Sequence, residues 1–254
     1  MRIVRNIGHV KRRKRYARIA SILGFLGLSS TFALIFLPHL VVVAYALLIG
    51  GFILFNFGMQ QLGKWSHNPR HSRDDLAIDE RLQALPDRFV LFHYVQVGKS
   101  VVEHILLHPG GLLVLTARDL PGVVTGDGRS WTKKSGGFLR FFSFSGPQLG
   151  NPSGDSDKGV AAVESALADG SLQIDVAGAI VFTSPSVDLD ADETDPPAVT
   201  LEELPEFVKA LEADPTFGSK ERDAIIELLS KGDELERNEV VRKRRPVKVK
   251  RRTV

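Results

Sequence analysis

Glu103, Thr116 and Arg118 have the spacing from which a metal-dependent phosphodiester-cleaving site would be built, with one residue type out of place. Glu103 lies in the apolar run Val101 to Leu107, and Thr116 and Arg118 end the run that starts at Leu112. Between the runs, His108-Pro109-Gly110-Gly111 reads as a hairpin turn. Centring the turn on Pro109-Gly110 sets a register in which the numbers of each facing pair add to 219. Glu103 then faces Thr116 at about 5 Å between Cβ atoms, and Arg118 follows on the same face. Carboxylates at both facing positions would chelate one magnesium ion, and a lysine at the third would hold or activate the attacking water. Thr116 is neutral and cannot be the second anionic ligand. Arg118 can grip a phosphate but stays protonated and cannot act as a base. Asp119 falls on the opposite face with Ala117, and Asp75, on a preceding helix, would reach the site and restore part of the charge.

The elements that must position these residues are legible as an α/β pattern. Asp74 and Asp75 open a helix whose apolar face is Leu76, Ile78, Leu82 and Leu85, and Pro86 stops it. Strands are expected over Phe89–Val95, Val101–Leu107 and Leu112–Ala117, with shorter ones at Val123-Val124, Ser130–Lys133 and Phe138–Phe144. A helix over Asp155–Ala168 leads to Val176–Phe182, apolar on both faces as a buried parallel strand would be. Ser186–Pro197 is an acidic solvated loop without the glycine and terminal glutamate of a calcium loop. Helices over Leu201–Leu211 and Ser219–Leu229 follow. His93, His104 and His108 read as hydrogen-bonded or half-exposed side chains, and Pro69 between His67 and His71 argues against a helical zinc pair.

The segments LQALPDRFVLFHYV, VVEHILLHPGGLLVLTARDLPGVVTGDGRSW, LGNP and GAIVF, in that order, resemble the nuclease-related domain (NERD) family, a branch of the PD-(D/E)XK nuclease fold. The resemblance runs from about Asp75 to Leu211 and implies a restriction-endonuclease-like mixed sheet flanked by helices. It implies that the family's first acid falls near Asp75 and its Asp-His step at Glu103-His104. Its Glu-x-Lys falls at Thr116-Ala117-Arg118, and the Gln after its Asn-Pro is replaced near Asp155. Glu103, Arg118 and Asp75 are thus vestigial catalytic positions, with Glu103 and Asp75 weak metal ligands at best. Three readings follow: a NERD-like domain that has lost efficient nuclease chemistry and now binds or scaffolds, with no cofactor; a magnesium-dependent nuclease with an altered site of Asp75, Glu103 and Arg118; and a membrane interaction protein with no nucleic-acid role. An internal Glu103–Arg118 salt bridge is the structural alternative to a catalytic role.

Ile19–Phe36 and Leu40–Phe57 carry no charge, and 18 residues at ~1.5 Å each span about 27 Å, near the hydrocarbon thickness of a bilayer. A two-helix transmembrane hairpin is expected over residues 19–58 (about 19–37 and 39–58). It follows a basic N-terminus, residues 1–18, that sets topology and touches anionic head groups. A polar linker at 59–72 places Trp65 at the interface. The α/β domain is expected over 73–232 and a disordered basic tail over 233–254. Flanking bases put the soluble domain and both termini on the cytoplasmic side of the cell membrane. Residues 1–18 and 242–254 each hold eight of the 33 Lys and Arg and no acid; the remaining 17 bases meet 30 acids, a net −13 over residues 19–241. The body is therefore a poor polyanion binder. Arg242, Lys243, Arg244, Arg245, Lys248, Lys250, Arg251 and Arg252 form the polyanion-binding string, expected to lie on the anionic inner leaflet, with nucleic acid a secondary partner. Absence of cysteine excludes disulfide frameworks and thiol chemistry.

Overall fold

A computed structural model describes residues 1–65, 73–134, 148–215, 217–231 and 234–238. Three apolar segments make an antiparallel meander: β2 (Val90–Val97), β3 (Ser100–His108) and β4 (Gly111–Arg118). The β3–β4 ladder pairs His104 with Leu115 through to His108 with Gly111, the register expected from the turn. β4 continues in parallel to β7 (Val176–Phe182), and β7 to β9 (Ala198–Thr200). β5 (Gly122–Asp127) lies between β6 (Ser130–Lys133) and β8 (Val187–Asp190) in a second sheet, so the segment expected as an acidic loop includes a strand.

Alternation along the strands gives the main sheet two apolar faces. Leu91, Leu106, Leu113, Leu115 and Val181 pack under α3 (Asp74–Leu82) and α5 (Leu204–Ala210). Phe92, Ile105, Leu107 and Val114 pack under α4 (Pro152–Asp169) and α6 (Ser219–Leu229). This is the mixed sheet flanked by helices expected for the domain.

The chain's ends depart from expectation. Arg2–Asn6 is strand β1, parallel to β2 and antiparallel to β10 (Leu235–Asn238), so the sheet order is β10-β1-β2-β3-β4-β7-β9. Residues 1–18 are thus not a free basic terminus: Ile3 joins one apolar face and Val4 the other, as a two-sided buried strand requires. Likewise the segment from 233 is not wholly a tail, since 235–238 pairs with β1; Arg242 to Arg252 lie outside the described residues, as do Phe138–Phe144, His67 and His71.

Helix α1 (Ile7–Leu34) starts directly after β1, capped by the Asn6 side chain accepting from the His9 N–H at 3.1 Å. It pairs with α2 (Val41–Trp65) across a short turn at Pro38–Leu40. Both are long and apolar enough to cross a membrane. Their buried seam repeats every seven residues, Val10, Ala17, Gly24 and Thr31 against Ala44, Gly51, Gly58 and Trp65. A side chain at Gly24 would overlap the Phe55 backbone, and one at Gly58 would overlap Ser21, so small residues let the two backbones touch while Phe25, Phe32, Phe52 and Ile53 point outward. Residues expected as linker, 59–65, continue α2. Trp65 does not sit free at an interface; it is buried against His9 and Tyr94.

Candidate functional site

Register places the site residues in two rows across the sheet. Arg5, His93, His104 and Leu115 are consecutive partners on β1 to β4, and all four share the face under α3. The next row would hold Asn6, Tyr94, Glu103 and Thr116, but the β3–β4 ladder stops one pair short of Glu103 and Thr116. Tyr94 interrupts β2 with φ of 57°, a left-handed conformation costly for an aromatic residue. Regular pairing therefore lapses on both sides of Glu103. Because β1, β4 and β7 are parallel, helix α1 leaves the sheet at the edge where Arg118 and Phe182 end their strands. Such carboxyl-terminal edges are where open α/β sheets bind ligands.

Each candidate side chain already has a partner. Glu103 Oε1 lies 3.3 Å from Lys64 Nζ, delivered by the last turn of α2. Burial would raise the Glu103 carboxyl, but Lys64, His104 and Arg118 hold it below the usual range. Arg118 does not bridge to Glu103 as expected. Its Nη2 donates to Asp155 Oδ2 at 2.6 Å and its Nη1 to the Ala117 carbonyl at 3.0 Å. Asp155 sits in the first turn of α4, where the Asn151 side chain accepts from the Gly154 N–H. Asp155 thus neutralises Arg118.

Asp75 does not reach Glu103. Its side chain is fully buried, hydrogen-bonded by Arg73 at 3.0 and 2.6 Å and 2.8 Å from Arg5 Nε. Burial would raise its pKa, but Arg73, His93 and Arg5 hold it low. Its neighbour Asp74 takes the site position instead. Thr183 Oγ1 donates to Asp74 Oδ1 at 2.6 Å, and burial, with Glu103 and Asp119 adding like charge, pushes the Asp74 carboxyl up despite that bond and Lys64. One helical position is a rotation of about 100°, which separates the two roles.

Sequence reasoning missed the polar layer under this edge. His93 Nδ1 lies 2.7 Å from His104 Nδ1, and His93 Nε2 lies 2.8 Å from Asp79 Oδ1. Asp79 pairs with Arg5, which also lies 3.4 Å from Glu236 on β10. Burial, reinforced by His93, lowers the His104 pKa to about 3, so it stays neutral. The histidines were visible in the sequence, but Arg5 and Asp79 are 74 residues apart and no local spacing links them.

A divalent metal would need two or more free carboxylates around the Glu103–Thr116 gap. Glu103 is held by a lysine, Asp74 is held toward its neutral form, and Thr116 carries no charge. Among the described residues no group of three or more His, Asp or Glu is arranged to hold a metal ion. The residues present do not fit magnesium. What they offer is an edge lined by ion pairs. Residues 70–183 match the family model described as nuclease-related domain (NERD). No curated protein and no solved structure matches the chain.

Proposed function

We propose that residues 70–183, which match the nuclease-related domain model, are such a domain, and that the protein is a membrane-anchored protein that binds or scaffolds instead of cutting nucleic acid. The observation that carries the reading is the double substitution of ion pairs for a metal site: Lys64 on Glu103 and Asp155 on Arg118, with Thr116 in the acid position. Both pairs are part-solvated, so they lock nothing by burial; what they do is occupy the carboxylate, since a metal would have to displace Lys64 from Glu103 and, with Thr116 neutral, would gain a single anionic ligand there. The α1–α2 hairpin crosses the bilayer twice. The basic turns of α1 and Lys64 of α2 lie at the same end of the pair, and this excess of flanking bases supports a cytoplasmic placement of the domain in this reading.

A second reading, a metal-dependent nuclease with an altered site, draws on Asp74 within electrostatic reach of Glu103. A cleavage assay separates the two. It must use the full-length protein in nanodiscs, because a fragment from residue 65 onward would lose β1 from within the sheet. With magnesium or manganese, single- and double-stranded DNA and RNA are expected to remain intact. Cleavage by the parent that disappears in Glu103→Ala would establish the second reading.

A further inference from the structure

The bases of α1 divide into two groups by height above the apolar span. Arg5 is buried among Asp75, Asp79 and Glu236, and Lys11 Nζ lies 2.7 Å from Glu234. Further along, Arg13, Lys14, Arg15 and Arg18 have no ion-pair partner among the described residues, and the three arginines are exposed. Exposed apolar side chains begin immediately afterwards with Ile19, Ile22 and Leu23. From residue 13 to residue 18 the helix rises about 7 Å. The head-group layer of one leaflet is about 5–7 Å thick, the difference between hydrocarbon and total bilayer thickness shared between two sides. Protein acids therefore pair the bases down to the level where lipid phosphate would begin, and stop there.

We propose that Arg13, Lys14, Arg15 and Arg18 form a binding collar for the phosphate groups of anionic phospholipids, which fixes the height of the domain and turns its Glu103–Arg118 edge toward the bilayer. The proposal rests on the reading of α1 and α2 as membrane spans. The flexible stems of these side chains cover the end of the apolar span while their charged heads meet phosphate, and one exposed aromatic, Tyr16, lies at the same level. The fixed edge follows from topology: α1 leaves β1 without a linker, at the edge where β4 and β7 end. Any ligand of that edge then approaches along the membrane surface.

The test compares spin-labelled phosphatidylglycerol with spin-labelled phosphatidylcholine around the full-length protein in phosphatidylcholine vesicles, read as the motionally restricted fraction of each label. The expected result is a several-fold preference for the anionic label in the parent. It falls to near unity when Arg13, Lys14, Arg15 and Arg18 are all changed to glutamine, and survives when all four are lysine and when residues 242–254 are deleted. Equal fractions in the parent, a preference unchanged by the glutamine substitutions, or one lost with the tail alone would overturn the proposal. The lysine variant and the tail deletion keep the test decisive if the glutamine variant fails to fold. Absence of any restricted component for either label in the parent would instead refute the membrane-span reading.

Discussion

Replacing Arg5 with alanine tests whether the N-terminal strand belongs to the domain. Arg5 lies 2.8 Å from Asp75 and 3.4 Å from Glu236, and pairs with Asp79. Glu236 is 43% exposed and 3.4 Å away, so its share is small. Asp75 keeps Arg73, but Asp79 would be left with only His93 inside the polar layer. Breaking a buried pair by removing one partner costs about 3–5 kcal/mol. At roughly 2–4 °C per kcal/mol for a domain of this size, the melting temperature should fall by about 6–20 °C. Thermal unfolding of the full-length protein in detergent can be followed by the fluorescence of Trp131, which packs against Phe182 in the second sheet's core. Arg15→Ala, at an exposed position on α1, serves as the control and should change stability by no more than about 0.5 kcal/mol. Equal, small effects from both substitutions would mean that Arg5 is an ordinary surface base and that β1 does not lie in the sheet.

Three further outcomes are expected. Thr116→Glu with Arg118→Lys places a second carboxylate opposite Glu103, and calorimetry should then detect magnesium binding that grows when Lys64→Gln is added; no gain over the parent in either variant would refute the register argument. A neutral, buried His104 means that the unfolded chain binds an extra proton between the ordinary histidine pKa of about 6.5 and about 3. Stability should therefore decline as pH falls through that window, with the low-pKa carboxyls of Asp75 and Glu103 adding their loss from the ordinary carboxyl range, about pH 4, downward; a denaturation midpoint that stays flat from pH 7 to 4 would contradict this. Gly58→Leu should force α1 and α2 apart at Ser21 and lower the melting temperature, whereas Gly63→Leu, where a side chain meets open space, should not.

What was legible in the sequence was whatever local chemistry dictates. The Pro109-Gly110 turn fixed the β3–β4 register, and the unbroken apolar run Val176–Phe182 gave a buried parallel strand with its observed bounds. The seven-residue spacing of small residues through both apolar helices was also present, but a search for hydrophobic length does not look for it. Strand β1 was hidden because Arg2 and Arg5 make it look polar, and its partner Val90 is far along the chain. β8 was hidden by its alternating aspartates, whose intervening Val187 and Leu189 face a small separate core. At the site, the faces of Thr116 and Arg118 followed from strand alternation, but their partners did not. Lys64 comes from a membrane helix and Asp155 from a later helix start, and no spacing rule foretells contacts assembled by tertiary packing. The choice between Asp74 and Asp75 turned on one helical position, which composition at a helix start leaves open.

The central claim is that internal ion pairs fill the place of a metal site, and manganese titration monitored by electron paramagnetic resonance addresses it most directly. Full-length protein and its Glu103→Gln variant in nanodiscs without anionic lipid should show the same weak, nonspecific loss of free-ion signal. A saturable manganese site in the parent that Glu103→Gln abolishes would show that Lys64 yields Glu103 to a metal, and would contradict the claim.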